Sequence, residues 1–197
     1  EHTMMFLFKK TLLVFAFVVA ISSLSACGKS LDDSFETLNN SSNHTYAYSI
    51  KMDETHTIES VYKQDGDKSF FDFNGNALYQ YSSNDKVNRI SREPSGSWKT
   101  VPMIEFVHLI PTDTIVLNPE LLEAGMFEKG DEEESLYYLK ASEYETIFGD
   151  KAETIRSFSF DLENDPMEFN YAFTHEGDIV PVKVTITYDD AEISLPI

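Results

Sequence analysis

The stretch EGDIVPVKVTITYDD, residues 176–190, decides the fold. Its apolar residues recur at every second position, from Val180 through Val182 and Val184 to Ile186. A two-residue period puts these side chains on one face of a β-strand, whereas a helix would repeat every three to four residues. Turn-forming residues flank the run at Gly177 and at 189–190. The stretch therefore predicts a strand with one buried face, entered and left by tight turns.

The same alternation surrounds this strand in the C-terminal part of the chain. It appears in 157–162 and 167–173, which are separated by Asn164-Asp165-Pro166, and again at Ile193 and Leu195. Four consecutive antiparallel strands joined by short turns are therefore predicted between residue 157 and the end of the chain.

The N-terminal half repeats the pattern. Residues 45–53 alternate, and turn signals then recur about every ten residues, at 65–66, 74–76, 84–85 and 94–96. This spacing predicts an antiparallel meander. After the strand at 45–53, its members are Thr57–Gln64, Lys68–Phe73, Ala77–Ser82, Lys86–Ser91 and Ser97–Val101.

Helical signals are few and short. Leu31, Phe35 and Leu38 recur at helical spacing, and the run 39–43 ends that segment. In the middle of the chain, short helices are predicted at Met103–Leu109, after the cap residue Asn118 and over Ser142–Phe148, with a strand at Ser135–Lys140. The interpretation is one α+β domain over residues 45–197. A curved antiparallel sheet of about nine strands would curl strongly around the helices.

Charge and composition exclude several classes of protein. The chain has 15 Lys+Arg against 34 Asp+Glu, a formal charge of −19. Proteins that bind nucleic-acid backbones need a basic surface, so no nucleic-acid partner is expected. Apolar residues make up 42% and aromatic residues 13%, which is too rich for a disordered chain.

The N-terminal segment has the layout of a secretory signal. Lys9 and Lys10 precede an unbroken apolar run, Leu12–Ile21, and small residues follow it.

Leu24-Ser25-Ala26-Cys27 then resembles the lipobox of bacterial lipoproteins, and Cys27 is the single cysteine. The resemblance implies that residues 1–26 are removed between Ala26 and Cys27, that Cys27 carries a diacylglycerol, and that residues 27–44 form a tether and short helix. An ordinary signal peptide with a chance cysteine is the alternative. The expected location is the extracytoplasmic face of a bacterial cell membrane, with the membrane as partner through the lipid anchor.

The mature chain is similar in pattern to lipoproteins of Gram-positive bacteria with the LolA/LppX lipoprotein-carrier fold. The matching segments are DGDKSFFDF (65–73), SGSWK (95–99), NPELL (118–122), KASEYETIFG (140–149) and VTITYDDAEISLP (184–196). The resemblance implies an incomplete β-barrel around helices with an apolar cavity. None of these segments is a binding motif, so no site residue follows from them.

An excess of aromatic residues suggests where a ligand would bind. Apolar rings on both faces of 68–73 exceed what a half-buried strand needs. Rings that line a cavity are one interpretation, and ordinary core packing is the other. The candidate cavity residues are Phe71, Phe73, Phe158, Phe160, Phe169, Tyr171 and Phe173.

Signatures of catalysis and metal binding are missing. The sequence has no Gly-x-Ser-x-Gly and no His-Glu-x-x-His. Asp53, Glu54 and His56 lie at a turn without ligand spacing, and 65–76 lacks the Gly and Glu that a calcium loop needs. The acidic run at 128–134 is expected to be a solvated hairpin tip. No catalytic residue, metal or cofactor is therefore predicted.

Two functions lead after these exclusions, and an enzyme ranks third. The first is non-catalytic binding of an apolar or amphipathic, lipid-like ligand in a cavity lined by the sheet. The second is a cell-surface interaction protein that binds a protein partner, of unknown identity, through its acidic exterior. A large apolar cavity would favour the first function and a solid core the second.

Overall fold

The computed structural model describes residues 29–105, 109–110, 115–131 and 134–196. In these residues the chain forms a mostly β, α+β unit of eleven strands and two α-helices. The helices are α1 (Leu31–Asn40) and α2 (Tyr144–Phe148), and 3₁₀ turns lie at Pro119–Leu121, Ala124–Met126, Ala141–Glu143 and Gly149–Thr154. The strands are β1 (Asn43–Lys51), β2 (Thr57–Asp65), β3 (Lys68–Phe73), β4 (Asn76–Ser83), β5 (Lys86–Arg92), β6 (Trp98–Met103), β7 (Phe127–Lys129), β8 (Leu136–Leu139), β9 (Ile155–Asp161), β10 (Met167–His175) and β11 (Asp178–Tyr188).

All eleven strands belong to one antiparallel sheet, in the order β6-β5-β4-β3-β2-β1-β11-β10-β9-β8-β7. Its two halves are meanders, because every neighbour apart from the β1–β11 pair is also a neighbour in sequence. In the centre of the sheet β1 pairs with β11 from His44–Tyr188 to Ile50–Val182. This junction joins the N-terminal and C-terminal halves of the chain.

Alternation along the strands explains why one face of the sheet is buried. In β1, Tyr46, Tyr48 and Ile50 are buried, and in β11 every second residue from Val180 to Ile186 is buried. We call this the core face, and the opposite side the outer face. The predicted antiparallel meander and the period-two strands are confirmed.

The sheet is open, with β6 and β7 as its two edges. It is neither closed nor strongly curled, so the strong curling expected for a sheet of this size is not found. Helices and turns cover the core face. Phe35 of α1 lies 5.1 Å from the ring of Phe127 and 6.1 Å from that of Phe169 (centroid to centroid).

A small apolar cluster lies on the outer face, between β3 and β6. The ring of Tyr79 lies 4.7 Å from that of Phe70 and 5.5 Å from that of Trp98. Ile90 is paired with Tyr79 and fully buried. This outer cluster explains why 68–73 carries aromatic rings on both faces.

The prediction of a strand at Ile193 and Leu195 is wrong. β11 already pairs with β1 on one side and β10 on the other, so no free edge remains beside it for a following hairpin strand. Residues 189–196 instead form a tail without regular structure. Asn43 binds the main chain of Ala191 through its Nδ2 (3.0 Å to the carbonyl oxygen) and its Oδ1 (2.9 Å to the nitrogen). Further along, Ile193 is buried beside Phe70 and Tyr79 of the outer face.

The strands predicted one by one number eleven, two more than the nine estimated for the whole sheet; the one at Ile193 and Leu195 is absent, and β7 was not predicted. β7 has only three residues, which is too short to show alternation. The helix predicted at Met103–Leu109 does not begin at Met103, since that residue ends β6. Residues 106–108 lie outside the described residues.

The other predicted helices are present. Ser30 caps α1, because its Oγ accepts a hydrogen bond from the nitrogen of Asp33 at 3.1 Å. The Oδ1 of Asn118 likewise accepts from the nitrogen of Glu120 and begins a 3₁₀ turn. Over the predicted 142–148, a 3₁₀ turn leads into α2, which ends at Gly149.

Candidate ligand cleft

The predicted lipidation site lies outside the described residues. Ala26 and Cys27 precede Lys29, where the described part of the chain begins. From there Ser30 leads directly into α1, so no more than a short connection separates position 27 from the folded domain.

The five candidate rings of the C-terminal half lie in the packed core. Each is 2% exposed or less: Phe158, Phe160, Phe169, Tyr171 and Phe173. The first four rings contact one another, with centroid distances of 5.1 Å for Phe160–Phe169 and 5.8 Å for both Phe158–Phe169 and Phe158–Tyr171. Distances of this size are typical of aromatic core packing. The assignment of these five rings to a ligand cavity stays a prediction.

Tyr171 also has a structural contact through its hydroxyl. The phenol donates to the carbonyl oxygen of Ile115 (2.6 Å) and accepts from the nitrogen of Leu117 (3.2 Å). The phenol of Tyr48 donates to the carbonyl oxygen of Leu117 (2.8 Å). Two tyrosines of the sheet therefore hold residues 115–117 against the core face.

The two remaining candidates, Phe71 and Phe73, line an open cleft. They lie on the core face of β3, with ring centroids 6.4 Å apart. The cleft has a volume of about 470 Å³, within the range of about 300–1,000 Å³ for small-molecule sites. Its lining is Phe71, Phe73, Gly75, Asn76, Ala77, Leu78, Ser91, Arg92, Glu93 and Pro94.

Strand pairing explains why a cleft opens at this place. β4 and β5 pair from Ser83–Lys86 up to Leu78–Ser91. Beyond that pair, the start of β4 turns towards β3 and the end of β5 turns towards β6. The gap between the β3–β4 hairpin and the β5–β6 hairpin is the cleft.

The turns of both hairpins have internal hydrogen bonds. At the β3–β4 turn, the Oδ1 of Asp72 accepts from the nitrogen of Gly75 (2.8 Å), and Gly75 has a φ of +80°. At the β5–β6 turn, the nitrogen of Gly96 donates to the carbonyl oxygen of Glu93 (2.8 Å), and Gly96 has a φ of +88°. Glycine adopts this conformation without the steric cost of a side chain.

The lining also includes two charged residues. The Nε of Arg92 donates to the carbonyl oxygen of Gly96 (3.1 Å), and its guanidinium lies 6.0 Å from the ring centre of Trp98. Glu93 pairs with Lys99 at 3.7 Å. Arg92 is paired with Trp98 and shares the outer face with it, so its guanidinium lies on the opposite side of the sheet from Phe71, Phe73 and Leu78.

A second groove lies between α1 and the ends of β10 and β11. It has a volume of about 520 Å³ and a mixed lining: Lys29, Asp33, Ser34, Thr37, Asp165, Pro166, Met167, Ile186, Thr187 and Tyr188. Lys29 and Asp165, which are 4.0 Å apart, are both exposed, so this ion pair contributes little stability. The groove contains none of the predicted rings.

A buried histidine lies under the 3₁₀ turn at Pro119–Leu121. His44 is 3% exposed; its Nδ1 lies 3.1 Å from the carbonyl oxygen of Ser41, and its ring stacks on Tyr46 at 4.5 Å. Its Nε2 lies 3.6 Å from the Oε1 of Glu120. The imidazole therefore bridges the start of β1 and the turn above it.

Tyrosines surround this histidine. Burial, and secondarily the charge of Glu120, raise the pKa of Tyr46 and of Tyr62 well above the usual range, and burial raises the pKa of Tyr188 to about 12. Within the described part of the chain the hydroxyls of Tyr46 and Tyr188 have no hydrogen-bond partner. These phenols are neutral at physiological pH, because burial disfavours the phenolate.

The sequence candidates for metal binding have other roles or are exposed. The Oδ1 of Asp53 accepts from the nitrogens of Thr55 (2.7 Å) and His56 (2.8 Å), and these bonds, with that of the Thr55 hydroxyl, lower the pKa of Asp53. Asp65 ends β2, and Gly66 and Asp67 form the β2–β3 turn. Glu128, Asp131 and Glu134 are exposed, and residues 132–133 are not described. Among the described residues, no group of three His, Cys, Asp or Glu side chains could hold a metal ion.

Sequence reasoning missed the polar and aliphatic parts of the cleft. Ser91 ends the predicted strand Lys86–Ser91 and Arg92 follows it. Neither residue belongs to a motif, and Leu78 is one apolar residue among many. One signal was present: Lys86, Arg89, Arg92 and Lys99 concentrate positive charge in 14 residues of an otherwise acidic chain.

No protein-family model matches this chain, and no curated protein matches it significantly. Within the described residues, neither helix has the length and apolar character needed to cross a membrane.

Proposed function

We propose that this protein is a membrane-anchored, extracytoplasmic bacterial lipoprotein that binds an apolar or amphipathic, lipid-like ligand without catalysis. The ligand binds in the cleft lined by Phe71, Phe73 and Leu78. The observation that carries the proposal is this cleft of about 470 Å³, with the apolar side chains of Phe71, Phe73 and Leu78 in its lining. Concave sites with an apolar lining and few polar groups are typical of small-molecule binding.

The relationship to the LolA/LppX lipoprotein-carrier fold is part of the proposal. A single antiparallel sheet with helices over its core face supports this relationship. The sheet curls less than an incomplete barrel, so the site we propose is an open cleft at two hairpin tips and not an enclosed cavity.

The test is photo-crosslinking of the full chain with a photoreactive long-chain fatty acid, followed by mass-spectrometric mapping of the labelled peptides. We expect saturable labelling within 68–78 or 91–99. Ser91→Trp fills the cleft and should reduce labelling about tenfold. Ser83→Trp, at the exposed far end of β4, is the matched control and should label like the natural protein. Labelling that does not saturate, or that maps elsewhere, would refute the cleft as the binding site.

The second candidate function is interaction with a protein partner through the acidic exterior. It is favoured by the dense packing of the five C-terminal rings, which leaves the core face of β9–β10 without a large cavity among those rings. No described carboxylate is buried, so the charge of these groups is available at the surface. An affinity for basic proteins that falls steeply with added salt, together with no saturable fatty-acid labelling, would favour this candidate.

A further inference from the structure

Strand β6 is an open edge of the sheet, and its side chains are left uncovered. Among the strands of the described residues, β6 alone has no buried residue. Trp98 and Val101 are exposed, and so is Ile104, which follows the end of the strand. These three belong to the five large apolar side chains that are exposed in the described residues. An uncovered edge strand of this kind can pair with a strand of another chain.

The main chain of β6 has polar groups that point away from the sheet. The nitrogen of Glu93 donates to the carbonyl oxygen of Ser97 (2.8 Å), so the polar groups of Ser97 face β5. Their direction alternates along a strand, and those of Trp98, Thr100 and Pro102 therefore face the open edge. Proline has no N–H and is tolerated in a strand where its nitrogen needs no partner, which agrees with this assignment. The open edge thus has two N–H groups and three carbonyl oxygens to offer.

The charge around β6 is opposite in sign to that of the whole protein. Residues 86–105 contain four basic side chains against two acidic ones, a local charge of +2 in a chain of −19. They are Lys86, Arg89, Arg92 and Lys99 against Glu93 and Glu105. At physiological ionic strength the Debye length is about 8 Å, so a strand bound to β6 responds mainly to these neighbouring groups.

The two faces of this edge differ in character. On the core face, Lys99 lies in β6 itself, and Arg89 of β5 is paired with Val101. The Nε of Arg89 has no hydrogen-bond partner within the described residues. Lys99 pairs with Glu93 at 3.7 Å, but both side chains are exposed, and such pairs are weak. On the outer face the edge presents the ring of Trp98. A strand that complements both faces has carboxylates on one side and apolar groups on the other.

A second copy of this chain does not fit this edge. Two β6 strands placed side by side would bring two regions of positive charge together, and like charges across a strand pair are destabilising. Pro102 also removes one N–H from the edge. Lysine and proline on edge strands are typical protections against pairing between copies. Neither residue opposes an acidic strand.

We infer that β6 binds an extended acidic segment of a partner protein, which adds to the sheet as one further strand. Main-chain hydrogen bonds of Trp98 and Thr100 hold the segment. Its carboxylates face Lys99 and Arg89, and its apolar side chains face the ring of Trp98. In strand addition the main chain supplies affinity and the alternate side chains supply specificity. This surface is separate from the apolar lining of the cleft, so the inference stands whether or not the cleft binds a lipid-like ligand.

The experiment titrates short fluorescent peptides of equal length against the full chain at physiological ionic strength. The peptides alternate valine with glutamate, with glutamine or with lysine. We expect the Val/Glu peptide to bind about tenfold more tightly than the Val/Gln peptide, and the Val/Lys peptide to bind most weakly. A Val/Glu peptide with methylated main-chain nitrogens keeps its charge but cannot donate hydrogen bonds. It should bind at least about tenfold more weakly than the unmethylated peptide.

Variants assign the binding to β6. Thr100→Pro removes an N–H that faces the open edge and should lower the affinity for the Val/Glu peptide about tenfold. Thr100→Val keeps this N–H and is the matched control. The methylated peptide tests the same hydrogen bonds in the unaltered protein.

A reversal of charge tests the specificity. Lys99→Glu should make the Val/Lys peptide bind more tightly than the Val/Glu peptide, and this gain also shows that the edge is still folded. Lys51→Gln, at an exposed cation on β1, is the control and should change neither affinity.

Three outcomes overturn the inference. The first is equal binding of the acidic and neutral peptides, or no saturable binding of any peptide. The second is an affinity that survives both methylation and Thr100→Pro, since charge alone would then explain it. The third is a dimer of the full chain that Thr100→Pro dissociates, which would assign the edge to a second copy.

Discussion

Two phenol groups attach the long connection between β6 and β7 to the sheet. Tyr48 and Tyr171 come from β1 and β10, and both bind main-chain atoms of residues 115–117. Main-chain polar groups buried without partners destabilise a fold by about 1–3 kcal/mol each. Phenylalanine would fill the same space but could not bind these main-chain groups, so tyrosine is needed at both positions.

Replacing Tyr171 by Phe tests this role. The nitrogen of Leu117 and the carbonyl oxygen of Ile115 then lose their bonds to the phenol, and we expect the free energy of unfolding to fall by about 1–3 kcal/mol. Urea unfolding measures this loss. Tyr81→Phe, on partly exposed β4, is the control and should change stability by less than about 0.5 kcal/mol. Equal effects of the two substitutions would contradict the structural role of the Tyr171 hydroxyl.

Buried tyrosines also predict a limit to stability at high pH. The pKa of Tyr188 is raised to about 12, and those of Tyr46, Tyr48, Tyr62 and Tyr171 are raised as well, all mainly by burial. Tyrosines in the unfolded chain lose their protons near pH 10. Above that pH the unfolded state binds fewer protons than the folded one, so stability falls as pH rises. Below about pH 10 the full stability is present.

The measurement is urea unfolding at a series of pH values between 8 and 12. We expect a constant free energy of unfolding up to about pH 10 and a steady decline above it. Tyr188→Phe should make the decline less steep, whereas Tyr138→Phe, with its phenol at the surface of β8, should leave the slope unchanged. Stability that stays level to pH 12 would show that these phenols are not buried in solution.

At the scale of the element, the side chain of Asn43 fixes the start of the C-terminal tail. Asn43 binds both main-chain polar groups of Ala191, and its Nδ2 also donates to the Oδ1 of Asp65 (3.3 Å). Ala191 is 3% exposed, so water cannot readily replace these bonds. The start of β1 thus fixes the direction in which the chain leaves β11.

Asn43→Ala should detach the tail. The buried nitrogen of Ala191 would lose its acceptor, and we expect a loss of about 1–3 kcal/mol in the free energy of unfolding. Carboxypeptidase should then remove residues 190–196 faster than in the natural protein. Asn170→Ala, an exposed asparagine on β10, is the control for both measurements. A tail that resists the protease as before would mean that Ile193 and the outer face hold it without Asn43.

The success of sequence reasoning differed between elements for physical reasons. β9, β10, β11 and the meander β1–β6 were predictable because one face of each strand is buried, which leaves period two in the sequence. The tail at 189–196 also alternates, yet pairing in the sheet depends on free edges, which a local pattern does not reveal. The cleft depends on where β4 and β5 separate, so Phe71 and Phe73 were identified while Ser91 and Arg92 were missed.

At the scale of the molecule, attachment to the membrane is predicted to depend on Cys27 alone. Two acyl chains contribute about 0.8 kcal/mol per buried CH₂ group, whereas a surface with −19 formal charges is repelled by anionic lipids. Cys27→Ala should therefore move the protein from the membrane fraction to the soluble fraction, or leave it unprocessed. Labelling with a radioactive fatty acid checks the chemistry, with Lys29→Ala as the control that keeps its label. An unlabelled natural protein would refute lipidation.

The pairing of β1 with β11 makes each half of the chain incomplete without the other. A chain cut after Met103 would yield one fragment that ends in β6 and a second fragment that contains β7–β11. Each would expose a long central strand, nine residues in β1 and eleven in β11, whose registered partner lies in the other fragment. Neither fragment contains a finished core, because the rings of Phe35 and Phe169 would be separated. We expect the two fragments to aggregate at their open strands when they are separate, and to complement each other when mixed, by pairing β1 with β11 again.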